Sequence, residues 1–269
     1  MNSRDAMTRD EIKGLLNEAE KRFEQESNLI EMHSGRVIFV GDTHGDIEAT
    51  ERVFDKYLNA ESSLIFLGDY VDRGSASEDN LHLLLKTKLE NPERLFMLMG
   101  NHEGRPGMKF YPADFWERLD PEMYDRYAAA LTRLPLVAST PNGIIALHGA
   151  LPEVHCMADI NGIEFGSRQW QHITWGDWQE TNDGCLRDGG VFGRPQFGQA
   201  WFEDVMNRLG KNVLIRSHQP GISPVIYNGR CLTIFTSNAY RSGAAGRTVA
   251  IADLDRGVNT VDDLIIETI

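Results

Sequence analysis

Three times within its first 103 residues this chain runs through a short apolar stretch, meets a glycine, and then sets down polar groups that neither a helix nor a strand requires. Arg36-Val-Ile-Phe-Val40 is followed by Gly41-Asp42-Thr43-His44-Gly45. Leu64-Ile-Phe-Leu67 is followed by Gly68-Asp69-Tyr70-Val71-Asp72-Arg73-Gly74, and Arg94-Leu-Phe-Met-Leu-Met99 by Gly100-Asn101-His102-Glu103. Runs without polar alternation belong to strands covered on both faces. Helical patterns separate them, one from about Asp46 to Leu58 and one around Leu81 to Leu85, so the pattern predicts βαβ units and a largely parallel sheet. Such sheets bind ligands beyond the carboxyl ends of their strands.

Elsewhere the pattern is less uniform. Thr8 and Glu11 form a capping box, and Ile12, Leu15, Leu16, Ala19 and Phe23 recur at helical spacing, which predicts a helix over about 9–26. Beyond Pro135, Leu136–Leu147 around Asn142-Gly143 and Val225–Phe235 around Asn228-Gly229 read as hairpins, with Val249–Ala252 as a further strand. The second half therefore leans to antiparallel hairpins. Asp159–Gly198, rich in glycine, tryptophan and polar residues, is expected to form irregular loops. No repeat or linker interrupts the chain, so 1–269 is read as one domain with an N-terminal helical segment (about 1–30) packing on it.

Composition excludes several functions. The chain carries 27 Lys and Arg against 40 Asp and Glu, a net charge of −13. A nucleic-acid binder needs clustered cations to displace counterions, so no nucleic-acid partner is expected. No apolar run approaches the ~20 residues that span a bilayer, so no membrane is expected either. Met1–Asp10 lacks the apolar core of a signal peptide. Cys156, Cys185 and Cys231 make no C-x-x-C pair and read as thiols of a reducing compartment. A soluble intracellular, cytoplasmic enzyme or binding domain is the expectation.

Five strand ends deliver chemistry to one rim, since Leu147-His148-Gly149 and Ile215-Arg216-Ser217-His218 also close apolar runs. Asp42, His44, Asp69, Asn101, His148 and His218 offer carboxylate, imidazole and amide donors and no thiolate, a set suited to Mn²⁺, Fe or Zn²⁺. Six ligands exceed what one catalytic metal with an open position takes. They suit two divalent metal ions about 3.5–4 Å apart that share a carboxylate and a water. Two such ions with Arg73 and Arg216 outweigh Asp42, Asp69 and a bridging hydroxide, leaving about +3 towards the substrate. Planar guanidinium forks favour phosphate, so phosphate ester hydrolysis is the consistent chemistry.

Gly-Asp-x-His-Gly, Gly-Asp-Tyr-Val-Asp-Arg-Gly and Gly-Asn-His-Glu, in this order, resemble the phosphoprotein phosphatase family within the calcineurin-like metallophosphoesterases. The resemblance runs from about Thr8 to the C-terminus and takes in Leu134-Pro135, Trp175-Gly-Asp177, Phe197-Gly198, Arg216-Ser-His-Gln219 and Thr236-Ser-Asn-Ala-Tyr240. It implies an α/β fold of two packed mixed β-sheets flanked by helices, a four-layer sandwich. It also implies a serine/threonine protein phosphatase acting by direct attack of a metal-bridging hydroxide. On this resemblance Asp42 and His44 bind the first metal, Asp69 bridges, and Asn101, His148 and His218 complete the second. His102 becomes the general acid and Asp72 its orienting partner. Arg73, Arg216 and Asn101 contact phosphate, and Tyr240 lies at the substrate rim. Manganese is the expected metal in vitro, with iron or zinc as alternatives. The substrate is a phosphorylated protein or peptide, and a compact prokaryotic-type enzyme without a regulatory subunit is expected.

Two other functions stay open. A diadenosine-tetraphosphatase-like nucleotide hydrolase shares the metal scheme. A non-catalytic metal- or phosphate-binding module would need no proton donor, so His102 with Asp72 argues against it. Asp177 reads as a turn residue, and His33, His82, His155 and His172 as solvated or packed.

Overall fold

A computed structural model describes residues 7–188, 193–240 and 246–269. Residues 1–6 of the N-terminal segment, 189–192 of the expected loop region and Arg241 lie outside them. Helix α1 (Arg9–Phe23) begins at the Thr8 capping box with both reciprocal bonds made, and buries Ile12, Leu15, Leu16, Ala19 and Phe23. After β1 (Leu29–Glu31) comes the anticipated alternation of β2 (Arg36–Val40), α2 (Ile47–Tyr57), β3 (Ser62–Phe66), α3 (Ser77–Glu90) and β4 (Leu95–Met97). The short helix α4 (Asp114–Glu117) and α5 (Pro121–Leu131) lead to the hairpin β5 (Val137–Ser139) and β6 (Ile144–Leu147).

The described residues of the stretch expected to be irregular instead carry regular structure. It holds a 3-10 turn over Met157–Gly162, helix α6 (Arg168–Trp175) and the strands β7 (Asp177–Trp178), β8 (Cys185–Asp188) and β9 (Pro195–Phe197), which form a small sheet in the order β7-β9-β8. Its tryptophans are core: Trp170 and Trp178 are buried, and Ser167 caps α6 by accepting the Trp170 amide. Helix α7 (Gln199–Leu209) precedes β10 (Val213–Arg216), β11 (Val225–Ile226), β12 (Cys231–Thr233), β13 (Thr248–Asp253) and β14 (Ile265–Thr268).

Two larger mixed sheets carry these strands, in the orders β1-β5-β6-β10-β12-β11 and β14-β13-β2-β3-β4. The hairpins β5–β6 and β11–β12 pair antiparallel as the Asn-Gly turns require. The second half is nonetheless not simply antiparallel, because β10 runs parallel to both β6 and β12 and β1 runs parallel to β5. A helix-bearing connection permits that parallel return, and α7 supplies it before β10.

Side-chain alternation explains the layers. Val37 and Phe39 of β2, Ile65 of β3, Val213 and Ile215 of β10 and Ile144 of β6 form one apolar layer between the sheets. Their neighbours Ile38, Val40, Leu64, Phe66 and Leu214 face outward into a second cluster with α1 and α3. Both faces are buried, so the strands read as unbroken apolar runs. Among the described residues no helix is long and apolar enough to cross a membrane.

Candidate active site

The two larger sheets meet at their tips, where Asp42 beyond β2 forms a parallel bridge with Phe235 beyond β12. Gly41 donates to Thr236 Oγ1 (2.9 Å), and the Asp42 amide donates to Ser217 Oγ (3.0 Å). A Cβ at Gly41 would lie 2.3 Å from the carbonyl oxygen of Ile234, so only glycine allows this approach. The backbone at the junction is strained. His44, Asp69, Asp72, Arg73 and His218 all have positive φ, between 42° and 73°. Non-glycine residues held there cost about 1–3 kcal/mol each and gather at functional sites.

Asp69 lies at the centre. It belongs to two clusters of donor atoms, one with His44 and His102 and one with His148 and His218. The Nε2 atoms of His44 and His148 stand 3.5 Å and 3.4 Å from Asp69 Oδ2, and Asp42 Oδ2 is 3.8 Å from His44 Nε2. Asn101 Oδ1 reaches His148 Nε2 at 3.2 Å, which in turn lies 3.1 Å from His218 Nδ1. His44 Nδ1 is held by the Val71 carbonyl (2.7 Å) and His148 Nδ1 by that of Leu67 (3.0 Å). Those bonds aim Nε2 inward, as carbonyl partners do for metal-binding histidines. The structure therefore brings together all six expected ligands.

Electrostatics there match a cation site. Burial pushes the pKa values of His44 and His218 well down, keeping both imidazoles neutral. Burial also opposes the Asp69 charge, but His148, His102 and His44 hold it well below the usual carboxylate range. Burial and then Asp69 push Asp42 up. Burial lowers the His148 pKa too, but Asp69 and Asp42 more than offset it and the net shift is upward. Neutral imidazoles beside crowded carboxylates, as at His44 and His218, are what a divalent cation binds. His44 Nε2 is buried without a protein partner, as a donor reserved for an ion would be.

Beside this centre His102 Nδ1 pairs with Asp72 Oδ2 at 2.6 Å, while Asp72 Oδ1 accepts the Phe115 amide at 2.7 Å. The His102 amide donates to Asp69 Oδ1 (2.9 Å), tying the pair to the shared carboxylate. Burial lowers the His102 pKa, but Asp69 and Asp72 more than offset it and the net shift is upward. The Tyr240 hydroxyl donates to Asp42 Oδ2, and the Tyr240 ring packs on His44 and Phe235. Arg73 lies over that ring, 5.2 Å from its centroid; the side chain is exposed and no carboxylate among the described residues pairs with it.

Arg216, expected to contact phosphate, is instead engaged within the protein. It is fully buried, and its guanidinium donates to Gly149 O (2.9 Å), Gln219 Oε1 (3.1 Å) and Gly176 O (3.3 Å). With Gln219, which accepts from the Trp178 amide and donates to its carbonyl, it clips the Trp175–Trp178 segment to the sheet. Three of its five N–H donors are thus committed to protein acceptors, and none of the side chain is exposed. The cation nearest His218 is instead Arg194, which contacts His218 Nε2 and lies 3.1 Å from Asp177 Oδ2. No motif surrounds Arg194, so its sequence carried no signal.

Asp177 is a buried strand residue rather than a turn. Glu103 was also passed over, although it directly follows two site residues. Its carboxylate accepts the amides of Asp69 and Tyr70 (2.8 Å each) and Gly100 (3.1 Å), binding two loops together. Burial and the Asp69 charge push its pKa up to about 7. Of the four histidines outside the motifs, His82 and His172 are buried and His33 and His155 exposed.

Comparison with known proteins agrees with this architecture. The family profile for calcineurin-like phosphoesterases matches residues 35–221. A probable serine/threonine-protein phosphatase of Encephalitozoon cuniculi is 30% identical over 77% of this chain and 48% of its own length. Serine/threonine-protein phosphatase T of Saccharomyces cerevisiae is 25% identical over 96% of this chain and 54% of its own. The chain thus spans about half the length of these relatives. Among solved structures, a protein serine/threonine phosphatase from Saccharomyces cerevisiae with similarity to human phosphatase PP5 superposes with a TM-score of 0.83 at 23% identity, over 97% of this chain and 89% of that one. That match shows a shared fold.

Proposed function

For a chain that belongs to the calcineurin-like phosphoesterase family, we propose hydrolysis of phosphoserine and phosphothreonine monoesters in proteins or peptides. The observation that carries this reading is the pair of donor clusters sharing Asp69, with the His102–Asp72 pair beside them. In this reading Asp42, His44 and Asp69 hold one divalent cation, and Asp69, Asn101, His148 and His218 hold the other. When bound, such ions supply Lewis acidity, lowering the pKa of water towards about 7 and neutralising charge on the phosphoryl group. We assign manganese as the ion loaded in vitro, with iron or zinc able to replace it.

The chain's own groups do the rest. His102 carries the proton that the departing serine or threonine oxygen needs, and Asp72 fixes the ring so that Nε2 faces it. Arg73 offers an exposed guanidinium to the phosphoryl oxygens, joined by Arg194 and the Asn101 amide, while Tyr240 steadies Asp42. Residues 1–269 act as one catalytic domain in the cytoplasm, with no nucleic acid, membrane or regulatory subunit required. The test is turnover by the purified chain with Mn²⁺ on phosphoserine, phosphothreonine and phosphotyrosine peptides and on diadenosine tetraphosphate. Cleavage of the first two supports the reading. Cleavage of the dinucleotide alone replaces it with the nucleotide hydrolase.

A further inference from the structure

Between the His102–Glu103 pair and helix α4 runs the loop Gly104–Pro112, which carries Arg105 and Lys109 and no carboxylate, in a chain of 40 acidic residues against 27 basic ones. Bonds from the Gly104 amide to Gly100 O (3.2 Å) and from the Gly107 amide to Gly104 O (2.9 Å) fold its first half into a tight turn. The second half returns to the site: the Phe110 ring lies 4.6 Å from that of His102 and 5.3 Å from that of Trp175. The loop therefore flanks the group assigned to the leaving oxygen.

Arg105 is the loop's unanswered group. Only 6% of the residue is exposed. Its Nε is enclosed without a hydrogen-bond partner, and no carboxylate or carbonyl among the described residues accepts from its two terminal nitrogens. Those terminal nitrogens, unlike Nε, keep contact with solvent. What holds the guanidinium is Tyr111, whose ring centroid stands 5.4 Å away and which is itself 75% exposed.

A guanidinium keeps its charge at any working pH, and a charge this enclosed is ordinarily paired. Stacking on an aromatic face fixes the plane of the fork without neutralising it. The solvent-facing end of the fork then suits a carboxylate, which accepts two parallel N–H bonds. We propose, on the phosphopeptide reading of the metal centre, that Arg105 braced by Tyr111 forms a subsite for an aspartate or glutamate of the substrate close in sequence to the phosphorylated residue. An extended peptide advances about 3.3–3.6 Å per residue, so an acidic neighbour a few positions away spans the gap from the site to the loop. Lys109, exposed on the same loop, adds positive potential. Arg105 touches no reacting atom; its part is to select.

Phosphoserine peptides of otherwise neutral sequence, each with one Glu or its Gln counterpart within about four residues of the phosphoserine, test this on the Mn²⁺-loaded chain. At the best position Glu should raise kcat/KM roughly tenfold over Gln, mainly through KM. In Arg105→Met, which keeps the buried stem and removes the charge, that ratio should fall to about one, and Arg105→Lys should retain part of it. If no phosphopeptide is cut, the phosphatase reading fails, and fluorescence anisotropy of the same peptides, labelled, decides the subsite: Glu should still bind more tightly than Gln. A Glu-to-Gln ratio near one at every position, in turnover or in binding, or a ratio undiminished in folded R105M protein, would overturn the proposal. Should R105M fail to fold, Tyr111→Ala at its exposed position takes its place and should lower the ratio at least about twofold. An unchanged ratio there would overturn it equally.

Discussion

His102 and Asp72 make a sharp prediction at the scale of one side chain. His102→Asn should retain bound metal yet lose roughly 100-fold to 10,000-fold in kcat on alkyl phosphates, the range of a general acid. Metal analysis beside steady-state kinetics checks both halves. The two arginines should separate in the opposite sense. Arg216→Lys removes donors from three buried acceptors and should cost about 2–3 kcal/mol of stability. Arg194→Ala should leave the melting temperature in place while lowering kcat/KM roughly 100-fold. Urea unfolding and kinetics on the same preparations distinguish them; a stable R216K protein with damaged kinetics would reverse the assignments. The six proposed ligand residues were legible as a set because each follows an apolar run within a short motif. The sequence could not show the surroundings of Arg216, since a cation two residues before a proposed ligand looks like a phosphate contact. Only the fold reveals that Gly149, Gly176 and Gln219 already occupy it.

At the scale of elements, the legible parts were those whose signal is local. The capping box of α1, the apolar runs of β2 and β3, and the two Asn-Gly hairpins all appear where their residues place them. Strands such as β1 and β7 are two or three residues long and exist through distant partners, Val137 for Leu29 and Gln196 for Asp177, so periodicity could not expose them. Helix α6 escaped because its tryptophans resembled loop aromatics until the fold buried them. Glu103 is an element-scale device of the same hidden kind, fastening the turn after β3 to the turn after β4. Glu103→Gln presents an amide N–H₂ to amide donors and should cost about 2 kcal/mol. The urea midpoint of metal-free protein reads this loss; an unchanged midpoint would show that the three bonds are replaceable.

Across the whole molecule, stability should depend on pH through groups far from the centre. His82 on α3 is buried against the Tyr127 hydroxyl (2.7 Å), and burial pushes its pKa down to about 4. The unfolded chain takes up that proton near pH 6.5 and the folded chain only near 4. The folded state therefore loses stability as pH falls through that window, by on the order of 2 kcal/mol from this group. His82→Leu should show a correspondingly shallower decline between pH 7 and 4 in urea titrations; an identical slope would remove His82 from the account.

The bridge between Asp42 and Phe235 has a wider consequence. Asp42, His44, Asp69 and Asn101 extend from one large sheet, His148 and His218 from the other, so ions captured among them would act as rivets across the seam. Binding only the assembled state, they should raise the melting temperature progressively with Mn²⁺ concentration, and a chelator should lower it. In Asp69→Asn, calorimetry should find melting indifferent to manganese. The protein would then hold its halves together with the same grip it uses on its substrate, and scarcity of metal would be felt first as fragility.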